Sequence, residues 1–400
     1  MIELEQEKQA GASPVVSIKV IGVGGAGGNT VNSIIESGNQ NIECIVANTD
    51  AQALHLSRAE HKIQLGVKST KGLGTGSNPE LGKKAAEEDI DKVMDIVGDA
   101  DIVFLAAGMG GGTGSGALPV IAHALKEKDI LTIAVVTKPF LFEGKRREKV
   151  AQSAIAQVES EVDTLIVLPN QKLLEEVEQD VSMIDAFGMI NNVLGQSVKG
   201  ISDIIVRAGH INVDFSDVRT IMKDMGLALM GTGIATGPDR AQEAALHAIS
   251  SPLLENMNIT GAKGVLLNIT GGKNLSLHEI SQAASIIYDE ADENANIILG
   301  SVIDESLDQE VMVTVIATGF QENQKKLDKA IEELPAKTTV PVQTQEELIE
   351  KKIEADAIQE QIKTEEMTKD IQCSKDVDVN DLDVPAFLRK SALEKQHKES

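Results

Sequence analysis

Gly110-Gly111-Gly112-Thr113-Gly114-Ser115-Gly116 places five glycines in seven positions, between an apolar stretch Ile102-Val103-Phe104-Leu105-Ala106-Ala107 and a helical pattern carried by Ala117, Val120, Ile121, Ala124 and Leu125. Glycine removes the Cβ and opens positive φ, so successive amides can turn inward and meet a phosphate chain. A helix N-terminus directly behind the loop adds free amides and its dipole, which makes the segment an anion cradle. A turn without a ligand explains the run poorly, because a turn needs one or two glycines and the others only add entropy to be lost on folding.

A second cradle lies upstream. Val16-Ser17-Ile18-Lys19-Val20-Ile21 reads as a strand and runs into Gly22-Val23-Gly24-Gly25-Ala26-Gly27-Gly28-Asn29, ahead of a helix through Val31, Ile34 and Ile35. Gly22, Gly24 and Gly27 match the G-x-G-x-x-G dinucleotide fingerprint. The following strand, Glu43-Cys44-Ile45-Val46-Ala47, ends in Asn48-Thr49-Asp50, so only Asp50 is placed to act as the ribose acid of a nicotinamide or flavin enzyme. A third glycine loop, Gly72-Leu73-Gly74-Thr75-Gly76-Ser77-Asn78-Pro79, precedes a helix beginning near Glu80. Three loops on successive βα units converge on the carboxyl edge of one parallel sheet, and three suit a triphosphate. The chain has no G-x-x-x-x-G-K-[ST] loop and no kinase motif set.

With these loops in place, the chain resembles the FtsZ/tubulin GTPase family, and closely its bacterial cell-division branch. GGGTGSG at Gly110 to Gly116 is the family's signature. Further matches are Pro139-Phe140-Leu141-Phe142-Glu143-Gly144, Asn212-Val213-Asp214-Phe215-Ser216-Asp217-Val218-Arg219 and Asp383-Val384-Pro385-Ala386-Phe387-Leu388-Arg389-Lys390, so the resemblance spans about 16 to 390. It implies a GTPase that polymerises head to tail with itself and forms the bacterial cytokinetic ring, recruiting other division proteins. The rivals are a nicotinamide-dependent Rossmann oxidoreductase, which leaves Gly110 to Gly116 unexplained, and a filament protein that does not hydrolyse.

The resemblance assigns GTP and GDP to Gly24, Gly25, Ala26, Gly27, Gly28, Asn29, Gly74, Thr75, Gly110, Gly111, Gly112, Thr113, Gly114 and Ser115. It brings Glu143 and Arg147 to the ribose, Phe187 to the base and Asn191 to the guanine edge. An amide oxygen can accept from the guanine N1–H and N2–H donors, and both Asn191 and Asn192 offer one, so the choice between them stays open. Mg2+ is expected to be held mainly by the phosphates, with no protein ligand assigned and K+ an open alternative.

Catalysis has no obvious water activator near the loops. Asp214 and Asp217 are the candidates, because ionised carboxylates three residues apart can orient a water during phosphoryl transfer, which depends mainly on alignment and charge neutralisation. The same spacing equally suits a helix start, with Asp214 as N-cap and Asp217 at N3 ahead of Val218, Ile221 and Met222. The resemblance adds Asn212 and has this loop act in trans, on the neighbouring subunit's GTP.

Composition narrows the class independently. Of 400 residues 42% are hydrophobic, ample for two or three domains. A net charge of −25 argues against nucleic acid as a partner. Two cysteines, Cys44 in an expected strand and Cys373 in a polar tail, give neither a disulfide framework nor metal spacing. An acidic start, Met1-Ile2-Glu3-Leu4-Glu5, and the lack of any apolar run near eighteen residues predict a cytoplasmic protein with no direct membrane insertion.

The expected architecture is α/β. Residues 1–15 form a flexible tail, and 16–181 a doubly wound parallel-sheet GTP-binding domain, Rossmann-like and tubulin-type, with strands ending near Gly22, Ala47, Ala107, Thr137 and Leu168. A central helix over 182–209 has a Ser182/Asp185 capping box and apolar positions Ile184, Phe187, Ile190, Leu194, Ile201 and Ile205. A second, smaller α/β domain covers 210–320, with strands at Leu227–Met230, Val265–Ile269, Ile297–Leu299 and Val311–Ile316 and helices over 239–250 and 276–292. An acidic, disordered linker (321–380) leads to a partner-binding peptide (381–390) and a final tail (391–400). In that peptide Leu382, Pro385, Phe387, Leu388 and Arg389 suit docking into a groove. By resemblance its partners are membrane tethers and division regulators, which would place the protein at the division site beneath the inner membrane.

Overall fold

The computed structural model describes residues 16–38, 42–175, 181–206, 213–251, 259 and 261–320. The expected N-terminal tail, the linker, the peptide 381–390 and Asn212 lie outside them. In chain order the elements are β1 (Ile18–Val23), α1 (Gly24–Glu36), β2 (Glu43–Asn48), α2 (Ala51–Leu56), β3 (His61–Gln64), α3 (Val67–Thr70), α4 (Pro79–Val97), β4 (Ile102–Gly108), α5 (Thr113–Glu127), β5 (Leu131–Lys138), α6 (Lys145–Glu161), β6 (Thr164–Pro169), α7 (Asn170–Glu175), α8 (Met183–Val206), α9 (Phe215–Met222), β7 (Gly226–Thr236), α10 (Arg240–Ile249), β8 (Gly264–Gly271), α11 (Leu277–Glu290), β9 (Asn296–Ile303) and β10 (Glu310–Thr318).

All ten strands belong to one sheet, in the order β3-β2-β1-β4-β5-β6-β7-β10-β8-β9. From β3 to β7 every pairing is parallel; β10 then runs antiparallel to both β7 and β8, and β9 is parallel to β8. The central parallel strands β1, β4 and β5 are apolar on both faces, as burial on both sides requires. Val20, Phe104 and Ile133 face one core with the α8 residues Leu194, Val198 and Ile201. Their neighbours Ile21, Leu105 and Ala134 face another with Ala117, Leu118 and Ile121 of α5.

One expectation gains detail and one changes. The strands of the second α/β region continue the first region's sheet: β7 pairs with β6 over Gly226–Ala228 and then runs along β10, joining both halves into one sheet. The physical reason lies beneath it, where α8 shares a single core with β1, β4 and β5 on one side and with Leu266 of β8 and Ile316 of β10 on the other. The third glycine loop, in turn, does not leave a strand directly. It follows the edge strand β3 and the single turn α3, neither of which the sequence reading contains.

The central helix starts as expected, with the Asp185 amide donating to Ser182 Oγ at 3.2 Å. Ile184 is not on its buried face but 80% exposed, because the first turn of α8 stands at the mouth of the cleft that Phe187 lines.

Candidate functional site

The carboxyl ends of β1, β4 and β5 open into a cleft of about 320 Å³. One wall is backbone from two of the predicted cradles, Gly24 to Ala26 and Gly111 to Gly114, and Thr75 of the third loop stands beside them. The loops fit together closely. A Cβ built on Gly112 would lie 2.1 Å from Thr75 Oγ1 and 2.7 Å from the Asn78 nitrogen, so no other residue fits there without displacing the third loop. Gly24, at φ +75°, turns the first loop toward Thr113 and Gly114 in a conformation that side chains rarely adopt.

Three threonine hydroxyls tie the loops into one network. Thr113 Oγ1 lies 2.7 Å from Thr49 Oγ1 and 3.5 Å from Thr75 Oγ1, and the Gly74 amide donates to the Thr49 carbonyl at 3.2 Å. Behind the cleft, the Gly110 amide donates to Ser115 Oγ at 2.9 Å and closes the signature loop on itself. Gly27, Gly28, Asn29, Gly74, Gly110, Ser115 and Asn191 therefore stand behind or beside the cleft lining rather than in it.

The far end of the cleft is aromatic and charged. Phe187 meets Phe140 edge to face at 5.4 Å, and Phe140 stacks on Phe142 at 4.9 Å, so three of the chain's seven phenylalanines gather at this mouth. Arg147 forms an ion pair with Glu143, whose other oxygen accepts from the Phe140 amide at 2.9 Å. Both oxygens of Glu143 are thus engaged, which fixes the position of the pair at the edge of the cleft.

Asn170, which the sequence reading missed, lines the same end. It is 5% exposed, and its Oδ1 has no hydrogen-bond partner among the described residues. A buried, unpaired amide oxygen is costly unless something donates to it. Its position directly after the carboxyl end of β6 was the available signal, since ligands of doubly wound folds bind beyond strand ends. Of the two asparagines left open, Asn192 faces α1, accepting from Ser33 Oγ at 2.7 Å. Asn191 lies one helical turn beyond Phe187 and so shares its face of α8.

Asp50, the one acid available to a dinucleotide ribose, is occupied elsewhere. It caps α2, accepting from the amides of Gln52 and Ala53 at 2.8 and 3.3 Å. Cys44 is no nucleophile either: burial, and then the Glu43 charge, push its thiol up to about 11. Among the described residues no group of three or more His, Cys, Asp or Glu could hold a metal.

Asp214 and Asp217 lie outside the cleft. Asp214 is the N-cap of α9, accepting from the Asp217 amide at 2.9 Å, as the helix-start reading expects. The exposed Asp217 carboxylate has no hydrogen bond or ion pair among the described residues. The two aspartates are therefore not equivalent. Two residues beyond Asp217, Arg219 reaches Asp129 at 3.0 Å, and Lys223 reaches it at 2.8 Å. Asp129 precedes β5, at the amino edge of the sheet, whereas the cleft opens at the carboxyl edge. The eight residues of β5 separate the two edges by about 26 Å.

Glycine-rich backbone loops around a cleft at the carboxyl edge of a parallel sheet, with an aromatic and amide-lined end, have the build of a nucleotide site in the doubly wound class. Comparison with known proteins narrows this. Residues 17–178 match the GTPase domain of the Tubulin/FtsZ family, and 226–321 match the FtsZ family C-terminal domain. The chain is 41% identical to an empty FtsZ dimer from M. jannaschii, covering 77% of this chain and 89% of that one, with a TM-score of 0.74. The same fold recurs at 22% identity in CetZ2 from Haloferax volcanii, a GTPγS-bound protofilament, over 79% of this chain and 100% of that one at a TM-score of 0.65. The chain belongs to the Tubulin/FtsZ family.

Proposed function

We propose that the chain binds GTP in this cleft, assembles head to tail with copies of itself, and hydrolyses the GTP at the junction between subunits. The observation that carries this reading is the separation of the cleft from Asp217. A carboxylate at the amino edge of the sheet cannot serve a nucleotide at the carboxyl edge of the same chain, but stacking subunits edge to edge brings the two together.

In this reading the amides of Gly24 to Ala26 and Gly111 to Gly114 hold the phosphates, with the Thr75 and Thr113 hydroxyls beside them. Phe187 takes one face of the base, Asn170 and Asn191 accept from the guanine donors, and the Glu143–Arg147 pair meets the ribose. Asp217 of the next subunit, with Asn212, orients a water in line with the terminal phosphate; Asp214 contributes by holding the helix start that presents them. As the water attacks, the bond from the terminal phosphorus to the bridging oxygen breaks and GDP leaves. Among the described residues no carboxylate cluster could hold a metal, so Mg2+ would be held mainly by the phosphates, where it would neutralise charge.

The family membership supports a role in cell division, as the filament of a cytokinetic ring. The peptide 381–390 would attach that filament to membrane tethers and division regulators beneath the membrane. Among the described residues no helix is long and apolar enough to cross a membrane. Light scattering and phosphate release after adding GTP, with ATP and NAD as controls, test the reading. Assembly and release with GTP alone are expected; equal responses to ATP, or none to GTP, would overturn it.

A further inference from the structure

The most strained stretch of the described chain lies beside the cleft. Between Gly66 and Ser77 six residues have positive φ: Gly66, Lys71, Gly72, Gly74, Gly76 and Ser77. Lys71 and Ser77, at +55° and +60°, carry side chains in a region that such residues rarely enter, and strain of this kind persists only where the surroundings hold it. The middle of α4 supplies the hold. Asp89 Oδ2 accepts the Gly66 amide at 2.7 Å, and the two oxygens of Glu88 accept the amides of Lys68 and Ser69 at 2.8 and 3.3 Å. Consecutive residues on a regular helix point about 100° apart and would not serve one target. Here Asp89 leaves helical geometry, at φ −123° and ψ 17°, and both carboxylates reach the same turn, α3.

From α3 the connection to the cleft is continuous. The Thr70 hydroxyl accepts the Gly72 amide at 3.3 Å, the Leu73 amide donates to the Thr70 carbonyl at 3.1 Å, and the Gly74 amide is held by Thr49; the next residue is Thr75, in the cleft. We propose that Glu88 and Asp89 are positioning residues for nucleotide binding, clamping the loop 66–77 to α4 so that Thr75 stands against Thr113 where the phosphates bind. This rests on the cleft being the GTP site. Asp89 suits that role because it is 5% exposed and still charged. Although burial opposes its charge, Lys92 at 2.5 Å and the Gly66 amide keep its carboxyl below the ordinary aspartate range.

The test uses the full chain, with Glu88→Gln and Asp89→Asn, and Val93→Ala as a control. Val93 is fully buried one turn further along α4, and its apolar side chain can make no hydrogen bond to the loop, so its truncation lowers stability alone. A fluorescent GTP analogue reads affinity, and steady-state turnover separates KM from kcat. The clamp predicts a rise of about tenfold in Kd and KM for each carboxylate variant, the low end of the size expected for losing one charge-assisted hydrogen bond, with kcat at saturating GTP within about twofold. Val93→Ala should melt earlier with unchanged Kd. Unaltered Kd in folded Asp89→Asn and Glu88→Gln would overturn the proposal. If Asp89→Asn does not fold, the half-buried Glu88→Gln decides by the same criterion. Failure of the unmutated chain to bind GTP would instead refute the site itself.

Discussion

Replacing Gly112 by alanine puts a methyl group where the signature loop meets the third loop. The added carbon would lie 2.1 Å from Thr75 Oγ1, 2.7 Å from the Asn78 nitrogen and 2.9 Å from Thr75 Cβ, all short of the 3.4 Å at which ordinary contact begins. The free protein can relieve this by moving residues 75–78 outward, which breaks the approach of Thr75 to Thr113. GTP then meets a displaced loop, and restoring it returns the clash. Overpacking of this kind costs about 2 kcal/mol, so Kd for GTP should rise about 30-fold. Fluorescent-nucleotide titration measures it, with melting temperature as a check on folding. Adding Thr75→Ala removes the shortest contact and leaves those to the Asn78 nitrogen and to the Cβ of residue 75, so the double variant should bind GTP better than the two single effects predict together. Wild-type affinity in folded Gly112→Ala, or strict additivity in the double variant, would refute this account of the cradle.

Other outcomes follow from groups around the fold. Burial alone would raise the Glu279 carboxyl, but hydrogen bonds from Arg240 and from the Ser276 amide and hydroxyl, with the Arg240 charge, outweigh it and hold the group down at about 2. A depressed carboxylate contributes stability that is full above its unfolded value of 4.5 and is lost as pH falls through 4.5 toward 2. Urea unfolding from pH 7 to 3 should therefore show an acid loss of up to about 2 kcal/mol that Glu279→Gln lacks; parallel curves would sink the assignment. Asn170→Ala removes a buried oxygen that has no partner, so the free protein should melt no earlier while GTP binds about tenfold more weakly. Lower stability with unchanged affinity would make Asn170 a packing residue. Deleting residues 381–400 should leave assembly and turnover intact while abolishing binding to a membrane tether; lost turnover would mean that the segment belongs to the GTPase core.

Much of this site is legible in the sequence because glycine-rich loops at strand ends leave a local signature. The first and fourth β-strands, and both glycine loops that follow them, lie where the apolar runs and glycines place them. What was not legible depends on distant parts of the chain. β3 has only four residues with one, Ile63, buried, so it carries too short a pattern to stand out. β7 runs on to Thr236 through Gly231 and Gly233, residues that weaken a strand pattern; a Cβ at Gly233 would meet the Ala244 carbonyl of α10 at 2.1 Å, a reason no local window contains. The union of both halves in one sheet rests on the short β6–β7 pairing. The aspartates show the limit most clearly. Their spacing left a catalytic pair and a helix cap equally open; the folded chain shows the cap, with Asp214 accepting from the Asp217 amide, and leaves the Asp217 carboxylate free of any described partner.

The central claim, that each GTP site is completed by a second subunit, is tested most directly by mixing. Asp217→Ala should bind GTP almost normally, since its own cradle is untouched, yet turn it over poorly. In the unmutated protein, phosphate release per subunit should rise with concentration, because an isolated subunit lacks half of its site. Asp217→Ala protein added to unmutated protein held at a fixed low concentration should then raise phosphate release per unmutated subunit, as each unmutated loop meets the intact GTP site of a substituted neighbour. Phosphate release that is unchanged by the added Asp217→Ala protein, and that per subunit is independent of total concentration, would contradict the account and place the aspartates' role within one chain.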